Sequence, residues 1–123
     1  MNFEQVVDQY CAAWSHPDAS ARQRLLAQVW LPGAIYTDPT VHAAGADALL
    51  EHIAKVQARR PGASVRRTST VDVHHGVGRF AWHVELADGA ILPEGIDFVE
   101  FSVDSMMIAR IIGFFGPLAP TQA

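Results

Sequence analysis

The chain has a single cysteine, Cys11, so an internal disulfide is excluded. It also lacks runs of like charge. Its 9 Lys and Arg residues are interspersed with 13 Asp and Glu residues, for a net charge of -4, which excludes a surface built for nucleic acid or another polyanion. No apolar stretch approaches the roughly 20 residues needed to cross a bilayer, so no membrane contact is expected. Met1 to Glu4 has neither the basic start nor the long apolar run of a signal peptide, and the expected location is cytoplasmic. Repeats, low-complexity segments, a nucleophilic triad and a phosphate loop are all missing. Six histidines do not amount to a metal site. His74 and His75 are neighbours on a strand and point to opposite faces, and no His, Cys or carboxylate cluster has ligand spacing. No metal is expected, and His16, His52 and His83 read as solvated side chains; His42 reads as a surface-loop histidine, the alternative being a second acid or base at a pocket mouth.

What the chain does have is apolar surface: half its residues are hydrophobic and only 18% are charged. At 123 residues it reads as one domain, 1–123, able to withdraw roughly two-thirds of its unfolded surface from water. Phe3, Val6, Val7, Tyr10 and Trp14 form a helical stripe that Ser15-His16-Pro17 ends. Asp18 is a plausible N-cap for a second helix through Leu25, Leu26 and Val29, ended by Pro32-Gly33. A short strand, "AIYT", follows. Leu49, Ile53 and Val56 mark a third helix, with Arg59-Arg60 suited to its C-terminal dipole before Pro61-Gly62. Four β runs, near 64–75, 78–86, 90–103 and 107–115, complete the chain, divided by the turn signals Gly76-Val77-Gly78, Asp88-Gly89 and Asp104-Ser105. The expectation is an α+β fold, with three N-terminal helices on one face of a mainly antiparallel sheet.

Two carboxylates stand out. Asp38 ends the "AIYT" strand directly before Pro39, where it serves either as a turn cap or as a site residue. In "GIDFVEFSV", Asp97 shares the more apolar face with Gly95, Val99 and Phe101, a costly place for a charge that raises its expected pKa. A bulge at Gly95 would instead turn Asp97 to solvent. In "RFAWHVEL", Phe80, Trp82, Val84 and Leu86 form the face toward the helices. Tyr10 lies on the helix stripe that covers it.

In order and spacing, "QYCAAW", "GAIYTDP", Gly45 opening the third helix, "RFAWHVEL", "GIDFVEF" and "IGFFG" resemble the ketosteroid isomerases over nearly the whole chain. These belong to the cone-shaped superfamily named after nuclear transport factor two, which also includes SnoaL-like polyketide cyclases. The resemblance implies a cone-shaped α+β barrel on a curved, mixed, mainly antiparallel sheet. It also implies a mechanism for which that family is itself the worked case: an Asp before Pro as general base, with a Tyr and a protonated Asp as the oxyanion hole. Carried over, Asp38 is the base, Tyr10 the phenol and Asp97 the protonated acid. Trp14, Trp30, Ile53, Trp82, Val84, Val99 and Phe115 are the expected walls of the substrate pocket, although Trp30 is expected to act more as core than as a stacking platform.

The sequence departs from the family at Ile53, where a further Tyr would support the oxyanion phenol, and at Trp14 and Trp82, where smaller side chains are usual. Both indoles narrow the cavity. The loop "PTVHAAG" is shorter. An Arg clamped between carboxylates, as epoxide hydrolysis needs, has only Arg67 or Arg79 to draw on, and alternation directs neither inward. Two functions follow: a cofactor-independent isomerase or cyclase that moves a proton α to a carbonyl of a small apolar or aromatic molecule, or a non-catalytic binding module of the same fold. The last strand is apolar on both faces, with Ile111, Gly113 and Phe115 on one and Ile108, Ile112 and Phe114 on the other. With Ile96 and Phe98 this marks a homodimer face.

Overall fold

The computed structural model describes residues 1–122. Helix α1, Phe3–Ser15, starts in a capping box: the Asn2 side chain accepts from the Gln5 backbone N–H, and the Gln5 side chain accepts from the Asn2 N–H, both at 2.8 Å. It buries Val6, Val7, Tyr10, Cys11, Ala13 and Trp14. Pro17 follows its last turn, and the buried Arg22 guanidinium donates to the carbonyls of His16 and Pro17 at 3.0 and 3.1 Å. Asp18 caps α2, Ala19–Ala27, through the Ala21 N–H. Helix α3, Ala46–Arg59, is tied to the end of α1 by Gln57, whose amide donates to the carbonyls of Trp14 and Ala63 at 2.7 and 2.9 Å.

Helix α2 stops two residues short of Val29. The Val29 carbonyl accepts the Ile108 N–H, and Trp30 already pairs in the sheet, so ladder bonds win over a further helical turn. Strand β1 accordingly runs Trp30–Asp38, with Pro32-Gly33 inside an irregular stretch between Trp30 and Ile35. The segment after Asp38 is a hairpin rather than a plain loop: β2, Val41–Ala44, pairs back on β1 with Asp38 opposite Val41. Strands β3, Ser64–Arg67, β4, Asp72–His74, β5, Val77–Glu85, β6, Gly95–Phe101, and β7, Ile108–Phe115, complete the described elements. The sheet order is β2-β1-β7-β6-β5-β3, with β4 beside β5. Only β1 and β7 run parallel; the other pairs are antiparallel. Three helices on a mixed, mainly antiparallel sheet are the expected α+β architecture.

Alternation in β6 is strict: Gly95, Asp97, Val99 and Phe101 are buried, whereas Ile96, Phe98 and Glu100 are exposed. The chain does not slip at Gly95. The irregularity lies at the other end, between Glu100 and Phe101, where β7 holds one extra residue. That bulge turns Ile108 inward, fully buried, and not outward with Ile112 and Phe114 as alternation alone predicts.

Gly95 lies opposite Trp82 in the β5–β6 ladder. A Cβ at Gly95 would come within 2.7 Å of both the Trp82 ring and the Phe114 carbonyl, so the indole lies flat over this residue only because no side chain is there. Gly95→Ala is expected to destabilise the protein by about 1–3 kcal/mol through overpacking. Urea unfolding reads the loss, and a change in Trp fluorescence reads the displaced indole.

Candidate functional site

The inward rows of the sheet and the facing sides of α1 and α3 enclose a cavity of about 460 Å³. Its length is set by rows. At one end Phe101 packs on Phe3 of α1, ring centroids 4.6 Å apart, and core side chains fill the space. At the other, Gly95 faces Phe115 across the ladder, and Trp82 meets Phe115 edge-on at 6.0 Å. The cavity lies between. Phe80, Trp82, Val84, Val65 and Leu92 make an apolar wall, and Gln57, Arg59 and Arg60 stand at its edge near the end of α3.

Its polar groups come from four elements. Asp97 of β6 is 5% exposed and accepts a hydrogen bond at Oδ1 from the Trp82 indole N–H, 2.8 Å away. Asp38 ends β1. Its Oδ1 accepts both the N–H and the hydroxyl of Thr40 at 2.7 Å, and its Oδ2 accepts the Tyr36 hydroxyl at 2.5 Å. His52 of α3 brings Nε2 to 4.0 Å from the same Oδ2. Between the two carboxylates lies Gly113 of β7: a Cβ there would meet Asp97 Oδ1 at 2.8 Å, Asp38 Cβ at 3.5 Å and the Tyr36 hydroxyl at 3.6 Å. The missing side chain is the space into which Asp97 fits.

Burial dominates the electrostatics. It pushes the Asp97 carboxyl up to about 7, with the nearby Asp38 adding to the rise and the Trp82 N–H opposing it by favouring the anion. A substantial part of the population is therefore protonated near neutral pH. The Tyr10 and Tyr36 phenols are both raised above their ordinary range, first by burial and then by neighbouring ionisable groups, Asp97 among them, so both remain hydrogen-bond donors. Cys11 lines the cavity but burial raises its thiol too far for a thiolate nucleophile. His52 is lowered by burial, partly offset by Asp38.

Tyr10, Asp38 and Asp97 all line this one cavity, together with Trp14, Trp82, Val84 and Phe115. Trp30, Ile53 and Val99 do not. Trp30 stacks on Tyr10 at 5.9 Å beneath α1, Ile53 is wholly buried on the α3 stripe, and Val99 lies one inward row too far along β6, where helix and sheet are in contact. The Trp14 and Trp30 indole N–H groups find no acceptor among the described residues.

Two site residues escaped sequence reasoning. Tyr36, two residues before Asp38, shares its side of β1, a period-of-two signal that was available in "IYTDP". His52 reads as solvated because it is off the apolar stripe, yet its side chain is only 12% exposed, edge-on to Trp14 at 5.7 Å. No local pattern announces that contact, which depends on where α3 meets β1. Outside the cavity, Arg67 is bonded to Asp8 and paired with Glu4, and Arg79 is paired with Asp72. Among the described residues no group of three His, Cys, Asp or Glu side chains could hold a metal, and no helix is long and apolar enough to cross a membrane.

Because Asp97 keeps its proton when folded over a range where the unfolded chain has lost it, the native state binds the extra proton between pH 3.8 and about 7. Its contribution to stability is full below that window and is lost as pH rises through about 7. Urea unfolding at pH 5 and pH 8 is expected to show wild type losing on the order of 2 kcal/mol more than Asp97→Asn between the two. Equal losses would place the Asp97 carboxyl in its ordinary range.

No protein-family model matches the chain, and neither does any curated protein. Solved structures do. A candidate isomerase of the SnoaL-like family from Agrobacterium tumefaciens is 26% identical with a TM-score of 0.85, over 93% of this chain and 97% of that one. A nuclear-transport-factor-two-like protein of unknown function from Exiguobacterium is 16% identical with a TM-score of 0.72, over 92% and 99%. A candidate ketosteroid isomerase from Kribbella flavida is 15% identical with a TM-score of 0.69, over 98% and 82%; these last two likenesses speak for the fold alone. The row-by-row placement of Asp38 and Asp97 around one cavity between helices and sheet is thus set in a fold shared with these structures, the fold of nuclear-transport-factor-two-like proteins.

Proposed function

We propose that the cavity binds a small, largely apolar carbonyl compound of one or two rings and that Asp38 removes a proton α to its carbonyl. The reading rests on one observation: a buried carboxyl, pushed up to about 7 by burial, shares an apolar cavity with a second, hydrogen-bonded carboxylate and two phenols. Chemically, the two acids are pushed toward different tasks. Asp38 accepts the proton, the substrate oxygen gains negative charge, and protonated Asp97 and the Tyr10 hydroxyl stabilise it in a largely apolar cavity. No cofactor enters this chemistry. The likeness to the candidate isomerase from Agrobacterium tumefaciens supports the same class.

One observation favours the second reading, a binding module without catalysis. Tyr36 and Thr40 together direct three donors at Asp38, leaving few lone pairs for a substrate proton. Exchange of α-hydrogens in D2O separates the two. Asp38→Asn is expected to lower the exchange rate of a bicyclic ketone by about 100-fold or more while the melting temperature moves little, since Asn can still accept from Thr40. Phenol binding without any exchange by wild type would favour the module. Substituted phenols, as stand-ins for the enolate, are expected to bind more tightly as they become more acidic and to bind better than a four-ring steroid. Asp97→Leu is expected to weaken them by about 2 kcal/mol, read by calorimetric titration.

The same proposal extends to assembly. The outer sheet face presents Ile96, Phe98 and Phe114, each at least 40% exposed, with Phe98 and Phe114 edge-on at 6.0 Å. Glu100 and Arg110 face each other at its border. A second copy turned about a two-fold axis would cover apolar surface with apolar surface. Light scattering is expected to give a dimer at micromolar concentration and a monomer for Phe114→Asp.

A further inference from the structure

A base enclosed in an apolar cavity must pass on the proton it takes, and Asp38 has few ways to do so. Its side chain is 4% exposed. Of the groups around it, the Tyr36 hydroxyl and the Thr40 N–H and hydroxyl already donate to it, and none of these has a second protonated state accessible in water near neutral pH. His52 differs. Its Nε2 lies 4.0 Å from Oδ2, and its side chain is three times as exposed as that of Asp38. The ring is held between Trp14, edge-on at 5.7 Å, and Tyr36, tilted 30° at 6.3 Å, so it is confined to the side of the carboxylate.

We propose that His52 is a proton-relay residue, which receives at Nε2 the proton that Asp38 takes from the substrate and exchanges it with solvent at the cavity edge. The proposal rests on the proton-abstraction reading of Asp38. In the first step the substrate C–H bond breaks, its electron pair stays with the enolate and an O–H bond forms on Asp38. In the second that O–H bond breaks and an N–H bond forms on His52, whose imidazolium then gives a proton to water. The enolate takes up a solvent proton by the reverse path, with no change of oxidation state. The charges around the ring suit brief protonation: burial, Arg59 and Lys55 favour the neutral imidazole, whereas Asp38 across the gap favours the cation. Tyr36 remains a neutral donor throughout. His52 is thus neutral at pH 7 and ready to accept.

The relay has a signature that a structural role lacks. A lone buried carboxylate returns the same hydrogen to the substrate, whereas a relay replaces it with one from solvent. The probe is 2-tetralone in D2O, with loss of its α-hydrogen signals followed by proton NMR, and binding of a phenol measured alongside. Wild type is expected to exchange the α-hydrogens, His52→Gln to do so at least about tenfold more slowly with unchanged phenol affinity, and added imidazole to restore exchange to His52→Ala. In an NMR titration, Asp38→Asn is expected to lower the His52 pKa, since the carboxylate no longer supports the cation. Exchange by His52→Gln within twofold of wild type would overturn the relay and leave the role of Asp38 standing. Loss of exchange together with phenol binding, unrelieved by imidazole, would overturn it as well. Absence of exchange in wild type that still binds the phenol would remove both the relay and the proton-abstraction reading.

Discussion

The hydrogen bond from the Trp82 indole to Asp97 is the interaction on which the site depends, because it settles how a carboxyl group survives on the inward row of a sheet. Burial alone would make that position costly. The donor is available because two glycines clear its path: Gly95 lets the indole lie against β6, and Gly113 leaves room for the carboxylate on the neighbouring strand. One N–H satisfies one oxygen. The charge itself is left poorly compensated, and the carboxyl responds by holding a proton to about pH 7.

The second carboxylate is handled in the opposite way. Asp38 lies at the end of a strand, where the chain turns at Pro39 and where backbone N–H groups are free to point at it. Turn cap and site residue are therefore not competing descriptions of Asp38. Oδ1 closes the turn through Thr40, and Oδ2 faces the cavity, Tyr36 and His52. Dividing the two oxygens in this way fixes the carboxylate in one orientation and keeps one of them beside the ligand space.

The cavity lies beyond the end at which α1 packs closely on β6, with the contact of Ser15 of α1 to Val65 of β3 and of His52 of α3 to Asp38 of β1 at its sides. Phe3 against Phe101 closes the packed end, and Gln57 holds α3 to the end of α1 above the open rows. Large aromatic groups, Trp14, Trp82 and Tyr36, then line the space without filling it. Trp14 and Trp30 keep buried N–H groups without acceptors among the described residues, a local cost accepted beside the site.

Much of this was legible in the residues. Helical stripes, caps and the two-residue period of β5 and β6 determine the α+β class, the inward row of Phe80, Trp82 and Val84, and the burial of Asp97, because each depends only on neighbours a few residues away. Other features needed the assembled fold. The end of α2 is decided by a ladder bond to Ile108, and the inward turn of Ile108 by a bulge facing Phe101. Trp30, Ile53 and Val99 are core and not wall because other core side chains pack around them. His52 entered the site for the same reason: a side chain off its helix's apolar stripe is solvated or buried according to what stands across from it, and here β1 brings Asp38 and Tyr36. Local sequence determines which face a residue takes; only the meeting of α3 with β1 decides what that face meets.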